Sequence, residues 1–167
     1  MMQYIHPTVQ IGKDVRIGMF TVIHEGVQIG DGCIIGSHVI IYPYTQIGKA
    51  VRIDDGTVIG KEPMRSSRRA FKPGSDLSLT HLSPAYIGEG CLIGAGTVIY
   101  KGCYINSRVL VADLATIREN SFIGEESIIG RGVAVENHCR IGKRCKIETN
   151  AYITAYSELE DDVFIAP

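Results

Sequence analysis

The feature that most constrains this chain is an aliphatic residue that returns at every sixth position. One run begins at Ile5 and continues to Ile59, and all ten positions are Ile. A second run begins at Ile87 and continues to Ile165, and all fourteen positions are Ile, Val or Leu. A period of six matches neither an amphipathic helix nor an alternating strand. It predicts short strands separated by tight turns, repeated along the chain.

Three six-residue sides would close one triangular coil of 18 residues, so the 24 repeat units predict about eight coils. Adjacent coils would stack about 4.8 Å apart, as neighbouring strands do. The aliphatic side chains would then lie on one another along the axis and form a one-dimensional core. The sequence therefore predicts an all-β parallel helix with a single domain over 1–167.

All five cysteines occupy the fourth place after an aliphatic residue, where other units carry a small or β-branched residue that we expect to point inward. Free cysteine is among the most often buried residue types, and the sequence contains no C-x-x-C pair. We therefore expect buried free thiols and neither a zinc nor a redox site. The cysteines are Cys33, Cys91, Cys103, Cys139 and Cys145.

Glycine is concentrated at two places in each unit. Of the 19 glycines, eleven directly follow the aliphatic residue and seven lie three places after it. Glycine adopts positive φ without the steric penalty that other residues meet. The sequence thus predicts that both places are turn positions with positive φ.

The six-residue rhythm stops over 61–86, between the first coils in 5–64 and the later coils in 87–167. A long connection within a compact repeat is typical of functional or disordered segments. We predict a protruding basic loop, and leave open whether it is simply solvated, clamps a phosphate or contacts a neighbouring subunit. Arginine binds phosphate with two parallel hydrogen bonds. The candidate phosphate-binding residues are Arg65, Arg68 and Arg69.

One edge of the predicted triangle differs from the other two. With the loop placed at a corner, only one of the eight units on this side has glycine after its aliphatic residue. Those positions are His6, His24, Tyr42, Gly60, Tyr100, Arg118, Glu136 and Thr154. The 18-residue spacing predicts that Arg118 stacks with Glu136, Glu119 with Asn137, and Asn120 with His138.

Each of these residues alone could be an ordinary turn residue or part of a weak surface ion pair. Together they favour a functional site, because they follow one edge for several coils. Carboxylates can orient a substrate ammonium group, and imidazole can accept its proton near neutral pH. We assign His138 and Glu119 as candidate catalytic residues. The candidate substrate contacts are Asn137, Glu136, Arg118, Asn120 and Tyr100. For His6 and His24 we expect a structural ladder of turn residues.

The repeated motif [LIV]-G-x-x-[small]-x over 5–64 and 87–167 resembles that of the hexapeptide-repeat acyltransferases. The resemblance implies a left-handed parallel β-helix, homotrimers with sites between subunits, and acyl transfer from acyl-coenzyme A. The stretches "GKEPMR", "VLVADLATIREN", "GRGVAVEN", "KIETNAYITAYS" and "EDDVFIAP" resemble a narrower branch, the sugar-nucleotide 3-amino N-acyltransferases.

This branch implies N-acetylation, with acetyl-CoA as co-substrate, of a dTDP- or UDP-linked deoxy-amino-sugar used in surface polysaccharide synthesis. It also implies that Glu119, Asn137 and the residue at 138 contact the sugar, with the loop near the nucleotide. His138 departs from the acid or amide typical of that position, so its role as a general base is our own hypothesis. The chain stops within a six-residue unit after Pro167, and we expect an uncapped last coil and impaired activity.

Other functions remain open. An O-acetyltransferase of the same fold is the nearest alternative, and a non-catalytic or truncated scaffold is another. A carbonic-anhydrase-like zinc site is disfavoured, because the five histidines include no close pair, and we expect no metal. A net charge of −1 gives no field for nucleic acid or an acidic membrane. No apolar run is long enough to span a bilayer, and we expect a cytoplasmic protein.

Overall fold

The computed structural model describes residues 2–64 and 81–167, which form 24 short strands in three parallel eight-stranded sheets. Sheet A consists of β1 (Tyr4–Ile5), β4 (Val22–Ile23), β7 (Ile40–Ile41), β10 (Val58–Lys61), β13 (Val98–Tyr100), β16 (Thr116–Ile117), β19 (Ala134–Val135) and β22 (Tyr152–Ile153). Sheet B consists of β2 (Gln10–Ile11), β5 (Gln28–Ile29), β8 (Gln46–Ile47), β11 (Tyr86–Ile87), β14 (Tyr104–Ile105), β17 (Phe122–Ile123), β20 (Arg140–Ile141) and β23 (Glu158–Leu159). Sheet C consists of β3 (Arg16–Ile17), β6 (Ile34–Ile35), β9 (Arg52–Ile53), β12 (Leu92–Ile93), β15 (Leu110–Val111), β18 (Ile128–Ile129), β21 (Lys146–Ile147) and β24 (Phe164–Ile165).

Successive strands belong to different sheets, so three strands and their turns make one coil, and eight coils are stacked. Each strand pairs with the strand one coil away, as when Ile117 pairs with Ile99 below and Val135 above. The described residues contain no helix. This is the all-β, hexapeptide-repeat solenoid that the period of six predicts, and it is consistent with a left-handed β-helix. Within the described ranges, no helix has the length and hydropathy needed to cross a membrane.

The aliphatic residue of each repeat points into the helix and is almost fully buried in the inner coils. Ile23, Ile59, Ile99 and Ile141 have no exposed surface, whereas Ile5 in the first coil is only half-buried. All five cysteines are buried free thiols, as predicted. The core is therefore one continuous column of stacked side chains.

The small inward residues also connect successive coils through hydrogen bonds. Thr21 donates from Oγ1 to the carbonyl of Gly36 at 2.8 Å, and Cys91 donates from Sγ to the carbonyl of Asn106 at 2.9 Å. In each case the acceptor lies 15 residues later, directly after the aliphatic residue of the next coil. A serine, threonine or cysteine here satisfies a backbone carbonyl that would otherwise lack a partner in the core.

Glycine is needed at its two places in the repeat for different physical reasons. The prediction of positive φ is confirmed for only one of the two places. The seven glycines three places after the aliphatic residue all have positive φ, as at Gly56 with 69°. Of the eleven that directly follow it, only Gly60 does. The others are needed because coils approach closely: a Cβ at Gly124 would lie under 3.0 Å from the backbone of Gly142.

The long connection leaves the helix at the corner that follows sheet A. Strand β10 ends at Lys61 and β11 begins at Tyr86, whose strand pairs in regular register with Gln46–Ile47 below and Tyr104–Ile105 above. The connection thus replaces a single turn and leaves the stacking of later coils unchanged. The candidate phosphate-binding residues Arg65, Arg68 and Arg69 lie outside the described residues.

Candidate functional site

Seven of the predicted site residues lie together at the corner that follows sheet A, in three consecutive coils, and we call them the polar strip. They are Tyr100, Arg118, Glu119, Asn120, Glu136, Asn137 and His138. The pairing of β16 with β19 fixes their order, because Ile117 lies opposite Val135 and each following residue meets its counterpart 18 positions later. Residues 18 positions apart therefore lie next to each other in adjacent coils, as the sequence spacing predicts.

Arg118 has two carboxylate partners, and its sequence neighbour is the closer one. Its Nε and Nη2 donate to Oε2 and Oε1 of Glu119 at 2.8 and 3.0 Å. Its Nη1 lies 3.5 Å from Oε2 of Glu136 in the next coil. The guanidinium therefore binds Glu119 in a two-pronged arrangement and reaches Glu136 more loosely, which the 18-residue spacing alone does not reveal.

The carboxylate of Glu119 is nearly enclosed, with 7% of its side chain exposed. Burial raises the pKa of Glu119, but the hydrogen bonds from Arg118 and the backbone, with the positive charge of Arg118, together lower it more, so the pKa of this carboxyl lies below its ordinary value. The hydrogen bonds with Glu119 raise the pKa of Arg118. Glu119 is thus a fixed anion whose lone pairs are largely occupied, and it is poorly placed to accept a proton.

The backbone under the polar strip is held by inward side chains. Sγ of Cys103 donates to the carbonyl of Arg118 at 3.0 Å, and Oγ of Ser121 donates to the carbonyl of Glu136 at 2.9 Å. Both donors are buried. The side chains of Arg118 and Glu136 therefore project from backbone whose carbonyl groups are held by hydrogen bonds.

Asn120 and His138 occupy the turn position with left-handed backbone, at φ of 57° and 58°. The backbone N–H of His138 donates to the carbonyl of Glu119 at 3.0 Å, which ties the turns of adjacent coils together. The imidazole of His138 is half-buried and stacks on the ring of Tyr156, with centroids 4.9 Å apart. One face of the imidazole is thus covered, and its ring nitrogens lie at the edge.

Glu136, Asn137 and His138 are consecutive and each is partly exposed. They supply a carboxylate, an amide and an imidazole at one corner, next to the fixed Arg118–Glu119 pair. This arrangement can bind an ammonium or several hydroxyl groups, and it can accept a proton. Among the residues in 2–64 and 81–167, no cluster of three metal-ligating side chains is present.

Two further residues contact the polar strip, although the sequence analysis assigns neither to the site. Lys61 is the first residue of the predicted basic loop and places Nζ 5.0 Å from the ring centroid of Tyr100. Tyr156 covers the imidazole of His138. The 18-residue spacing places Tyr156 one coil after His138, whereas a shift in register between β10 and β13 brings Lys61 opposite Tyr100.

The histidines of the first two coils belong to separate local contacts. His24 stacks on Tyr42 with ring centroids 5.4 Å apart, and Nδ1 of His6 lies 2.9 Å from Oγ1 of Thr8. The described aromatic contacts therefore include the stack of His24 on Tyr42 but not the expected stack of His6 on His24.

A groove of about 560 Å³ lies away from the polar strip, on the side of sheet B. Its walls carry both signs of charge next to an aromatic ring, and none of its residues belongs to the strip. They are Phe122, Arg140, Gly142, Lys143, Glu158, Leu159, Glu160 and Asp161.

Three solved structures share this fold at low sequence identity. The UDP-N-acetylglucosamine acyltransferase from Arabidopsis has a TM-score of 0.80 and 20% identity, over 97% of this chain and 57% of that one. The Francisella novicida enzyme of the same description has a TM-score of 0.69 and 23% identity, over 96% and 66%. The UDP-N-acetylglucosamine O-acyltransferase from Moraxella catarrhalis has a TM-score of 0.54 and 21% identity, over 95% and 69%. This chain therefore spans between about half and two thirds of their lengths.

No curated protein matches the chain with significant similarity. The model of the family described as bacterial transferase hexapeptide (six repeats) matches residues 8–42, 84–119 and 120–155, which include the whole polar strip. These segments cover more than half of the sequence, and their six-residue units coincide with the strands and turns of the solenoid. The chain belongs to the bacterial transferase hexapeptide family.

Proposed function

We propose that this protein is an acyltransferase that carries an acyl group, foremost the acetyl group of acetyl-CoA, to the amino group of a nucleotide-linked deoxy-amino-sugar. Membership of a transferase family supports the reaction class. The observation that carries the proposal is the run of Glu136, Asn137 and His138, partly exposed at one corner beside a fixed ion pair. A carboxylate and an imidazole side by side suit a cationic acceptor that must lose a proton.

In the proposed reaction the acceptor amine attacks the thioester carbonyl carbon, so a C–N bond forms and the C–S bond breaks. His138 takes a proton from the ammonium group before attack, and the proton that the nitrogen loses as the C–N bond forms goes to the departing thiolate. Glu136 binds the ammonium form before attack, and Asn137 hydrogen-bonds the sugar. Glu119, in this proposal, acts by fixing Arg118 and the turn, since its carboxylate is enclosed and paired.

The nucleotide part of the acceptor is proposed by analogy of fold. Structures with this architecture act on UDP-N-acetylglucosamine, and the sequence motifs resemble enzymes of dTDP- and UDP-linked amino sugars. Arg65, Arg68 and Arg69 remain the proposed phosphate contacts, because guanidinium groups bind phosphate well. Surface polysaccharide synthesis is the proposed use of the product.

A homotrimer is the proposed assembly. The outward positions of sheet A that precede the aliphatic residue carry no charge along all eight strands. They include Val22, Ile40, Val58, Val98 and Ala134, each only half-buried in the single chain. Parallel sheets are normally covered on both faces, so a second chain is expected on sheet A, next to the corner that bears the polar strip.

An O-acyltransferase is the second candidate, and the Moraxella catarrhalis structure of an O-acyltransferase supports it. A hydroxyl acceptor would need the imidazole of His138 but no carboxylate for an ammonium. The adjacent carboxylate of Glu136 therefore favours the amine.

The test is release of free thiol from acetyl-CoA in the presence of purified protein and a panel of 3-amino, 4-amino and hydroxyl-only nucleotide sugars. We expect turnover with an amino sugar and a product that resists hydroxylamine, which cleaves esters but leaves amides intact. A hydroxylamine-sensitive product would establish the O-acyltransferase instead. Absence of thiol release across the whole panel would refute the proposed enzyme.

A further inference from the structure

The ring of Tyr100 lies between two cations from the coils on either side. Lys61 places Nζ 5.0 Å from the ring centroid, and Cζ of Arg118 lies 5.2 Å from the same centroid. Lys61 pairs opposite Tyr100 in the coil before it, and Arg118 follows the strand that pairs in the coil after it. The cations therefore approach the two opposite faces of one aromatic ring.

Tyr100 is 9% exposed, whereas Tyr104 on the next strand is 43% exposed. A cation over an aromatic face is held more strongly when it is shielded from water than at an exposed site. The burial of Tyr100 therefore favours both contacts. Since both faces are occupied, neither is free for a substrate ring.

The residues around Lys61 are fastened to the coil that carries Tyr100. The backbone N–H of Lys101 donates to the carbonyl of Lys61 at 2.9 Å, and Nζ of Lys101 contacts Oε1 of Glu62 at 2.6 Å. This exposed ion pair contributes little stability by itself. The backbone hydrogen bond keeps the Lys61 backbone beside the ring.

Arg118 has five donor hydrogens in a planar fork, and its orientation decides which carboxylate it binds. With its plane held over Tyr100, Nε and Nη2 meet Glu119 and Nη1 is left for Glu136. Without the ring, the guanidinium could rotate away from this two-carboxylate arrangement. Glu136 would then lose its 3.5 Å contact with the cation.

We propose that Tyr100 is a positioning residue and not a substrate contact: its ring, held between Lys61 and Arg118, fixes the guanidinium that orients Glu119 and Glu136. This inference rests on the proposed acyl transfer for its kinetic consequence only. The structural consequence, a fixed Arg118 side chain, is independent of any substrate. The reassignment also explains why an aromatic residue replaces glycine directly after Ile99.

The experiment compares the Tyr100→Phe and Tyr100→Leu variants with the wild type. The first readout is solvent exchange of the Arg118 Nε hydrogen by NMR, assigned with Arg118→Lys. The second is thiol release under saturating acetyl-CoA and acceptor. Tyr104→Leu is the matched control, because Tyr104 lies one strand later, is 43% exposed and contacts neither cation.

We expect Tyr100→Phe and Tyr104→Leu to resemble the wild type in both readouts. Tyr100→Leu should speed exchange at Arg118 and lower kcat roughly tenfold, with a smaller change in KM. Wild-type exchange and kcat in Tyr100→Leu would overturn the inference, as would a loss in Tyr100→Phe equal to that in Tyr100→Leu. If the wild type releases no thiol with any acceptor, the acyltransferase proposal fails, and the exchange readout alone decides the role of Tyr100.

Discussion

His138 and Tyr156 stack face to face across adjacent coils, with ring centroids 4.9 Å apart and planes within 4° of parallel. Tyr156 is 70% exposed, so this contact adds little to the core. A similar pair, Phe20 and His38, stacks at another corner with the same centroid distance and an angle of 20°. The first pair includes a residue of the polar strip and the second lies at a different corner, which allows a controlled comparison.

Replacement of His138 by Ala should reduce kcat about 100-fold at saturating substrates, because the amine would lose its proton acceptor. Thermal stability should change little, since the side chain is half-buried at a turn. The measurement is thiol release over a range of pH, with His38→Ala as the control. Near-normal turnover in the His138 variant would remove the general-base role and leave the thioester sulfur or the substrate as proton acceptor.

Loss of the ring at Tyr156 should affect turnover through the orientation of the imidazole. We expect Tyr156→Leu to lower kcat a few-fold and Tyr156→Phe to retain it, because stacking needs only the ring. Phe20→Leu, which removes the ring that stacks on His38, should leave kcat unchanged. Equal effects of Tyr156→Leu and Phe20→Leu would show that the stack serves the fold alone.

The Glu119→Gln substitution should destabilise the protein in a pH-dependent way. The folded pKa of Glu119 lies below its ordinary value, because burial raises it less than the hydrogen bonds from Arg118 and the backbone and the positive charge of Arg118 together lower it. The ionised carboxylate therefore contributes stability that is complete above the ordinary glutamate range and is lost as the pH falls through the lowered pKa.

We expect a loss of about 2 kcal/mol at neutral pH, typical of hydrogen bonds to a charged group. Urea midpoints of the wild type and Glu119→Gln at about pH 7 and about pH 3 would measure it. The two proteins should converge at low pH. A gap of the same size at both pH values would contradict the ion pair as its source.

Two glycine-to-alanine substitutions should lower the free energy of unfolding by different amounts, because glycine is needed at the two positions for different reasons. At Gly124 an added Cβ would meet the backbone of Gly142 under 3.0 Å away, so we expect a loss of about 3 kcal/mol from overpacking. At Gly56 the Cβ would meet open space and only the positive φ of 69° opposes it, so we expect about 1 kcal/mol. Denaturant midpoints measure both, and equal losses would contradict the close-approach explanation.

The five cysteines should not react with thiol reagents in the folded protein. Burial raises the pKa of Cys91 to about 11 and that of Cys103 to about 12, so little thiolate forms near neutral pH. A colorimetric thiol titration should detect no free thiols under native conditions and five in denaturant. Rapid reaction of any cysteine in the native state would show that the coils open locally.

The sequence alone was sufficient to predict the parallel β-helix and to identify which residues lie next to each other at each corner. A strict period of six fixes both the side on which a residue lies and its partner one coil away, so Arg118 and Glu136 could be paired by counting. The period gives no information on rotamers. The preference of Arg118 for Glu119 depends on the burial of that carboxylate and on the ring of Tyr100, which appear only in three dimensions.

Glycine illustrates why the remaining detail could not be predicted. Gly124 and Gly56 occupy different places in the six-residue unit, and the sequence predicts positive φ at both, yet one avoids a neighbouring backbone and the other adopts a left-handed turn. Likewise, Cys103 and Ser121 look like small fillers, whereas both donate hydrogen bonds to carbonyls under the polar strip. The position in the repeat predicts that these residues point inward, but the acceptor is evident only in the three-dimensional structure.

The chain resumes its regular register after the long connection, and this decides where residues can be inserted or deleted without altering the later coils. From Ile59 to Ile87 there are 28 positions in place of the usual six, an excess of 22. The excess leaves every later residue on its expected edge, because Tyr86 and Ile87 resume their places over Gln46 and Ile47. Removal of six residues between Arg118 and Glu136 would rotate everything beyond by a third of a turn and place His138 on a different edge from Arg118. The number of residues can therefore vary in the connection at that corner. Within the coils, a change in the number of residues alters the direction in which every later side chain points.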